Sequence, residues 1–282
     1  MIYGIPTLME LSDAGDLAHF CAEQGFAFME MNMTFPWFQQ GTLSARRLQE
    51  LKKETGIGLT IHLHDQFNPF EFSPEMRQAH LENYRFAAEI ARELDIPLMT
   101  MHLLPGTYSS ISGEKKYLYA HLRHLYLDHV RAFRHFADTL LEGTDVLTCI
   151  ENTTGFLPFQ QEAVDLLLES EHFGLTFDIG HNYKAGGGDE RFILAHAEKL
   201  RHFHIHDCSL RSNHLAFGAG GLDLVRYLNM ARSADCPVVA EVKESSALIQ
   251  SKAYLIGHNL WHPEPFPAKR FSICTVSGGP EG

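Results

Sequence analysis

GLTFDIGH (174–181) runs an apolar stretch into Asp178 and places His181 three residues later. The run has the length of a buried strand and ends in a group able to hold a cation. Three other segments share this construction. VLTCIEN (146–152) ends at Glu151, LRHFHIHD (200–207) at His204 or His206, and PVVAEVK (237–243) at Glu241. The gaps between them are those that one or two strand–helix units would fill. Three carboxylates and an imidazole on parallel strand ends would form an open oxygen-and-nitrogen site for a divalent ion.

Outward from these segments, short apolar runs alternate with longer stretches of helical period. Strands are predicted over 2–5, 26–31, 58–63, 97–102, 146–151, 174–178, 202–206 and 237–241. Helices are predicted over 16–24, 44–55, 74–94, 117–141, 159–170, 189–197, 223–234 and 245–254. Ser44 suits a helix cap and Pro74 a first turn. In 117–141, Leu118, Leu122, Leu125, Val130, Phe133, Phe136 and Leu140 fall near one stripe. Strand–helix alternation requires crossovers and so a parallel sheet. Eight repeats predict closure into a single-domain α/β fold, a (β/α)8 TIM barrel, over 1–256. An open doubly wound sheet is the competitor, but no GxGxxG follows the first strand. Segment 257–282 holds Pro263, Pro265, Pro267 and Pro280 and lacks helical period. It reads as a Pro-rich tail lying over the barrel or partly disordered, or else as an arm that contacts a second subunit or covers the site.

The chain has 282 residues, 45% of them hydrophobic, enough to fill one barrel core. A formal charge of −12 disfavours non-specific attraction to nucleic-acid phosphates, so a nucleic-acid partner is not expected. The five cysteines are scattered and without a CxxC, which fits a reducing compartment. No signal peptide and no membrane-length apolar run is visible, making the cytoplasm the expected location and a membrane partner unexpected.

Function in a parallel barrel gathers at the carboxyl ends of the strands. Those ends carry Glu30, His62 (with His64), His102, Glu151, Asp178, His204 (with His206) and Glu241. Each buried charge is costly, and a cation among them would offset the cost. Carboxylates with imidazoles suit Mn²⁺, Mg²⁺, Co²⁺ or Zn²⁺. His121, His124 and His135 fall between the apolar positions of their helix and read as a solvated face.

IEN (150–152), FDIGH (177–181), FHIHD (203–207), HLAFGAGGLD (214–223) and AEV (240–242) resemble the signatures of the xylose isomerase-like barrel superfamily, as do TIHL (60–63) and MHLLPG (101–106). The superfamily contains sugar and sugar-phosphate isomerases and epimerases and also the endonuclease IV group. The resemblance implies that Glu151, Asp178, His204 and Glu241 hold a shared metal and that Glu151 and Glu241 form an acid/base pair. A chelated α-hydroxy carbonyl would have its carbonyl polarised, and carboxylates would move a proton through an enediolate. The expected substrate is a small sugar, sugar phosphate or polyol-derived ketone. His181 would meet a substrate hydroxyl, and Glu30, His62, His64, Asn152 and His206 would line the pocket. Arg211 and Lys243 would contact a phosphate or carboxylate. Related barrels often pair, so a homodimer is an expectation.

The alternative is a phosphodiesterase acting at abasic DNA sites, as in the endonuclease IV group with its three-metal cluster. His62, His102 and Glu151 would form one position, and His181 and His214 would begin a third. IENTTG (150–155) also fits that group. Two departures count against it. Ser212 stands where the group has an Asp, and 35 Asp plus Glu outnumber 23 Lys plus Arg. Ala219 in FGAG departs from both groups.

Overall fold

The computed structural model describes residues 1–267. The chain enters through β1 (Tyr3–Ile5), α1 (Ala14–Glu23), β2 (Phe28–Asn32), α2 (Ala45–Thr55), β3 (Gly58–His62), α3 (Pro74–Glu93) and β4 (Leu98–His102). A hairpin, β5 (Tyr108–Ile111) with β6 (Glu114–Tyr117), then precedes α4 (Leu118–His121) and α5 (Arg123–Leu141). The remainder is β7 (Leu147–Glu151), α6 (Pro158–Leu168), β8 (Phe173–Asp178), α7 (Ile179–Lys184), α8 (Gly188–Ala195), β9 (Leu200–Ile205), α9 (Leu224–Ser233), β10 (Val238–Ala240) and α10 (Ser245–Gly257). Among the described residues, β1, β2, β3, β4, β7, β8, β9 and β10 close into one parallel barrel, a (β/α)8 TIM barrel.

Local chemistry fixes the helix ends. The Ser44 side chain accepts from the Arg47 N–H, and α2 stops at Gly56 in the left-handed region (φ 73°). Ser73 caps α3, with Pro74 in the first turn. The stretch expected as one helix over 117–141 departs from expectation. Its first residue closes the exposed hairpin, and Leu122 breaks the rest into α4 and α5. Leu118 and Leu125 are exposed, and the buried face is Tyr126, Leu127, Val130, Phe133, Ala137 and Leu141. Helical period alone does not fix the rotation of a helix carrying apolar residues on several sides. His121, His124 and His135 are exposed, as a solvated face requires.

Register sets the height of the functional side chains. His102 lies opposite Glu151 across β4 and β7, and Asp178 opposite His204 across β8 and β9. The β8–β9 ladder slips between Leu175 and Thr176, so that Leu175 faces Leu200 while Thr176 faces His202. This irregularity brings His204 level with Asp178.

The opposite, amino-terminal end is packed with rings. A Cβ at residue 4 would lie 2.3 Å from the Phe28 ring, so only glycine admits that ring. The described part of the Pro-rich segment lies across this end. Trp261 stacks on Tyr3 (5.3 Å between centroids) and Phe266 packs on Phe28 (5.0 Å). Glu264 pairs with the Met1 amino group. Residues 268–282, with Pro280 and Cys274, lie outside the described residues.

Candidate metal centre

The carboxyl ends of β7, β8 and β9 and the residue following β10 bring Glu151, Asp178, His204 and Glu241 together. One donor atom from each lies within 4.8 Å of the others, and all four residues are buried. That spread is close to the roughly 4 Å diameter of the first shell around Zn²⁺ or Mg²⁺. His204 Nδ1 stands 3.3 Å from Glu151 Oε2 and 3.3 Å from Glu241 Oε2. Glu151 Oε1, Asp178 Oδ2, His204 Nδ1 and Glu241 Oε2 are all buried without a hydrogen-bond partner. Native proteins rarely leave such atoms unpartnered. Donor atoms of these four residues lie close enough together to share a dication, and the oxygen-rich donor set fits one.

Further imidazoles ring this group. His62 Nε2 lies 3.3 Å and His102 Nε2 3.6 Å from Glu151 Oε2. His181 Nδ1 is 3.2 Å from Glu151 Oε1 and 3.3 Å from Asp178 Oδ2, while His206 Nε2 is 3.2 Å from Asp178 Oδ1. Three more donor clusters adjoin it among the described residues, His62–His102–Glu151, His181–His206–His214 and, deeper in the barrel, Glu30–His202–His204. Backbone carbonyls set the ring orientations. His62 Nδ1 lies 2.7 Å from Leu63 O, His102 Nδ1 3.3 Å from Asp65 O and His214 Nδ1 3.0 Å from Glu241 O. A carbonyl only accepts, so each Nδ1 donates, and in the neutral ring the Nε2 lone pair is left to the site. His214 occupies the left-handed region at φ 51°, a strained conformation typical of functional sites. From there its N–H lies 3.1 Å from His206 Nδ1.

In the ion-free protein, protonated imidazoles supply the missing positive charge. Burial pulls the His62 imidazole down, but the Glu151 carboxylate outweighs it and lifts it to about 9. Burial likewise opposes, and Asp178 and Glu151 overcome, a rise of His181 to about 10. His204 is raised well above its ordinary value, against burial, by Glu151, Glu30 and Glu241. Burial raises the Glu151 and Glu241 carboxyls, yet nearby basic groups hold both well below the usual range. These are His204 and His102 for Glu151, and Lys243, His214 and His204 for Glu241.

The other expected site residues scatter. Glu30 reaches beneath His204, its Oε1 3.0 Å from Nε2, and also lines the floor of a recess shared with His62 and Glu241. Asn152 is fully buried and straps two strand ends together: its Nδ2 donates to Asp178 O (2.8 Å) and its Oδ1 accepts from Asp178 N (2.9 Å). His64 faces a separate cavity with Leu63, Phe67, Asn83 and Phe86. Arg211 is exposed on the loop after β9. Lys243 Nζ lies 2.7 Å from Glu241 Oε1. His206 sits at the rim, and a Cβ at residue 180 would come within 1.9 Å of its ring, so Gly180 makes room for it.

Three features escaped the sequence reading. His202 shares the inward face of β9 with His204, as the two-residue period of a strand dictates. The Asp207 carboxylate accepts from the backbone N–H groups of Cys208, Gly218, Gly220 and Leu222 and so organises the loop in which Ala219 looked anomalous. Asp65 lines two recesses flanking the centre. One, of about 310 Å³, is also lined by Asn32, Phe35 and Lys243. The other, of about 540 Å³, is lined by Thr153, Thr154, Lys184 and Asn213.

The chain belongs to the xylose isomerase-like TIM barrel family, whose model matches residues 18–260. An uncharacterized protein of Methanocaldococcus jannaschii is 26% identical over 227 residues, spanning 74% of this chain and 72% of that protein. Among solved structures, a D-tagatose 3-epimerase-like protein superposes with a TM-score of 0.73 at 22% identity, covering 92% of this chain and 97% of that one. The 3-keto-D-glucoside 4-epimerase YcjR of E. coli gives 0.69 at 14% identity, covering 91% and 99%. The IolI protein, solved with a zinc atom, gives 0.70 at 15% identity, covering 91% and 97%. At these identities the structural likenesses establish the fold. No helix among the described residues is long and apolar enough to cross a membrane.

Proposed function

We propose that this protein is a divalent-metal-dependent isomerase or epimerase of a small sugar, sugar phosphate or polyol-derived ketone. The observation that carries the reading is that Glu151 and Glu241 each come within 3.3 Å of His204 Nδ1, within one buried four-donor cluster. Mn²⁺, Mg²⁺, Co²⁺ and Zn²⁺ all suit that cluster, and similarity to a zinc-containing barrel and to epimerases supports it. When bound, the ion supplies Lewis-acid polarisation of a carbonyl, which acidifies the neighbouring C–H.

The protein's residues do the rest. Glu151 and Glu241 are both held ionised, and each is a resident base. One takes the proton from the carbon beside the carbonyl, and the resulting enediolate is reprotonated from the same or the opposite side. Transfer between carbons gives an isomer, and return to the opposite face of the same carbon gives an epimer. Asn32, Asp65 and Lys243 offer polar contacts for hydroxyls in a recess sized for one sugar. The buried, unbridged cysteines Cys21, Cys149, Cys208 and Cys236 support a reducing, cytoplasmic setting. A homodimer remains part of the proposal.

One observation favours the second reading, cleavage at abasic DNA sites. The two flanking donor clusters would allow three ions, with His206 as the third donor beside His181 and His214 in a cluster without a carboxylate. The test is incubation with ketose substrates in deuterated water and, separately, with an abasic-site duplex. Solvent deuterium entering the carbon beside the carbonyl supports proton transfer. Strand cleavage without deuterium uptake replaces it with the nuclease reading.

A further inference from the structure

Beneath the metal cluster, inside the barrel, lies a carboxylate that the proposed reaction does not use. Glu30 is 2% exposed. Its Oε1 lies 3.0 Å from His204 Nε2, and its Oε2 accepts from Thr60 Oγ1 (3.3 Å) and Thr100 Oγ1 (3.4 Å). We propose that Glu30 is a positioning residue that fixes His204 as an Nδ1 ligand and thereby sets the affinity of the centre for its divalent ion. The inference rests on the metal-dependent reading above.

An imidazole carries two ring nitrogens. Only one of them can present a lone pair to an ion, and the hydrogen bond at the other decides which. Nε2 makes no aligned hydrogen bond, but the carboxylate 3.0 Å away favours the proton on it, which leaves the lone pair on Nδ1. Nδ1 is the atom that faces Glu151 and Glu241. Glu30 cannot swing away, because hydroxyls from β3 and β4 hold its second oxygen. His204 cannot rotate freely, because the His202 ring meets it edge-on with centroids 4.9 Å apart.

The other rim histidines sharpen the point. His62, His102 and His214 anchor Nδ1 on a neutral backbone carbonyl and turn Nε2 to the site. His204 is inverted, and the group behind it is an anion. A carboxylate makes the imidazole a stronger donor than a carbonyl does. Burying a carboxylate inside a barrel is costly. An apolar side chain at position 30 would avoid that cost, so its presence calls for a partner whose charge it answers.

The test uses the full chain stripped of metal. Glu30→Gln and Glu30→Ala are titrated with Co²⁺ against a competing chelator, with the visible cobalt spectrum and the melting temperature of the ion-free protein recorded alongside. The expected result is a Kd about 10- to 100-fold weaker than wild type and an altered cobalt spectrum. Ion-free melting close to wild type then separates this from a general loss of structure. Should both variants fail to fold, Thr60→Val with Thr100→Val removes the clamp on Oε2, and a Kd weakened by about threefold or more is expected. Unchanged Co²⁺ affinity in folded Glu30 variants, or in the threonine pair if those do not fold, overturns the inference and leaves the proposed function standing. Failure of the wild-type chain to bind Co²⁺ overturns both.

Discussion

The two ends of the barrel bury opposite chemistries. At the amino-terminal end, Phe28, Leu98, Leu147, Cys149 and Phe266 form an apolar plug sealed by Trp261 on Tyr3. At the carboxyl end, Glu30, Glu151, Asp178, His204, His206 and Glu241 are equally buried, yet several of their polar atoms have no partner. The plug contributes stability by removing apolar surface from water. The rim does the reverse, because clustered charge out of water is costly without an outside counter-ion. One closed sheet thus concentrates cohesion at one end and chemistry at the other.

Substitutions can break this division. Glu151→Gln and Glu241→Gln each leave the fold intact by circular dichroism and lower kcat by about 10³-fold or more, in the range for loss of a general acid/base. Activity within tenfold of wild type in either variant contradicts the assignment. Gly180→Ala forces a methyl into the His206 ring. It should weaken activity by at least about tenfold through displacement of the rim, since small misplacements near a site are costly. Trp261→Ala and Phe266→Ala act at the other end. Each should lower unfolding free energy by about 2 kcal/mol while leaving kcat at 25 °C within about twofold, as read by denaturant melts and steady-state rates.

A pH series sharpens the same contrast. In the ion-free protein, His62 at about 9 and His181 at about 10 titrate above the ordinary histidine value of 6.5. Their contribution to stability is complete below pH 6.5 and is lost as pH rises through 9 to 10. The ion-free protein should therefore lose melting temperature across that window. Divalent-ion affinity should rise as pH increases, because the ion competes with protons for the imidazoles. Saturating metal should flatten the decline, and a plug variant should shift the whole curve down without changing its slope.

The barrel was legible because strand ends such as Glu151 and Asp178 interrupt apolar runs with a charge, a pattern that survives in one dimension. The four central donors were legible for the same reason. The hairpin was not, because YSSI and EKKY lie on the surface and carry no buried face to enforce a period. Glu30 and Asn152 were found as polar residues at strand ends, but their partners, His204 and the Asp178 backbone, are distant in sequence. Whether such a residue faces substrate or supports a neighbour depends on barrel closure. His202 shares the two-residue period of His204, but its contact with the His204 ring depends on packing inside the closed barrel.

The most direct measurement is anomalous diffraction from crystals of the full chain grown with Mn²⁺ or Co²⁺. The account predicts a strong peak within bonding distance of Glu151, Asp178, His204 Nδ1 and Glu241. A map at full metal occupancy elsewhere, or with no peak among these four residues, would contradict it.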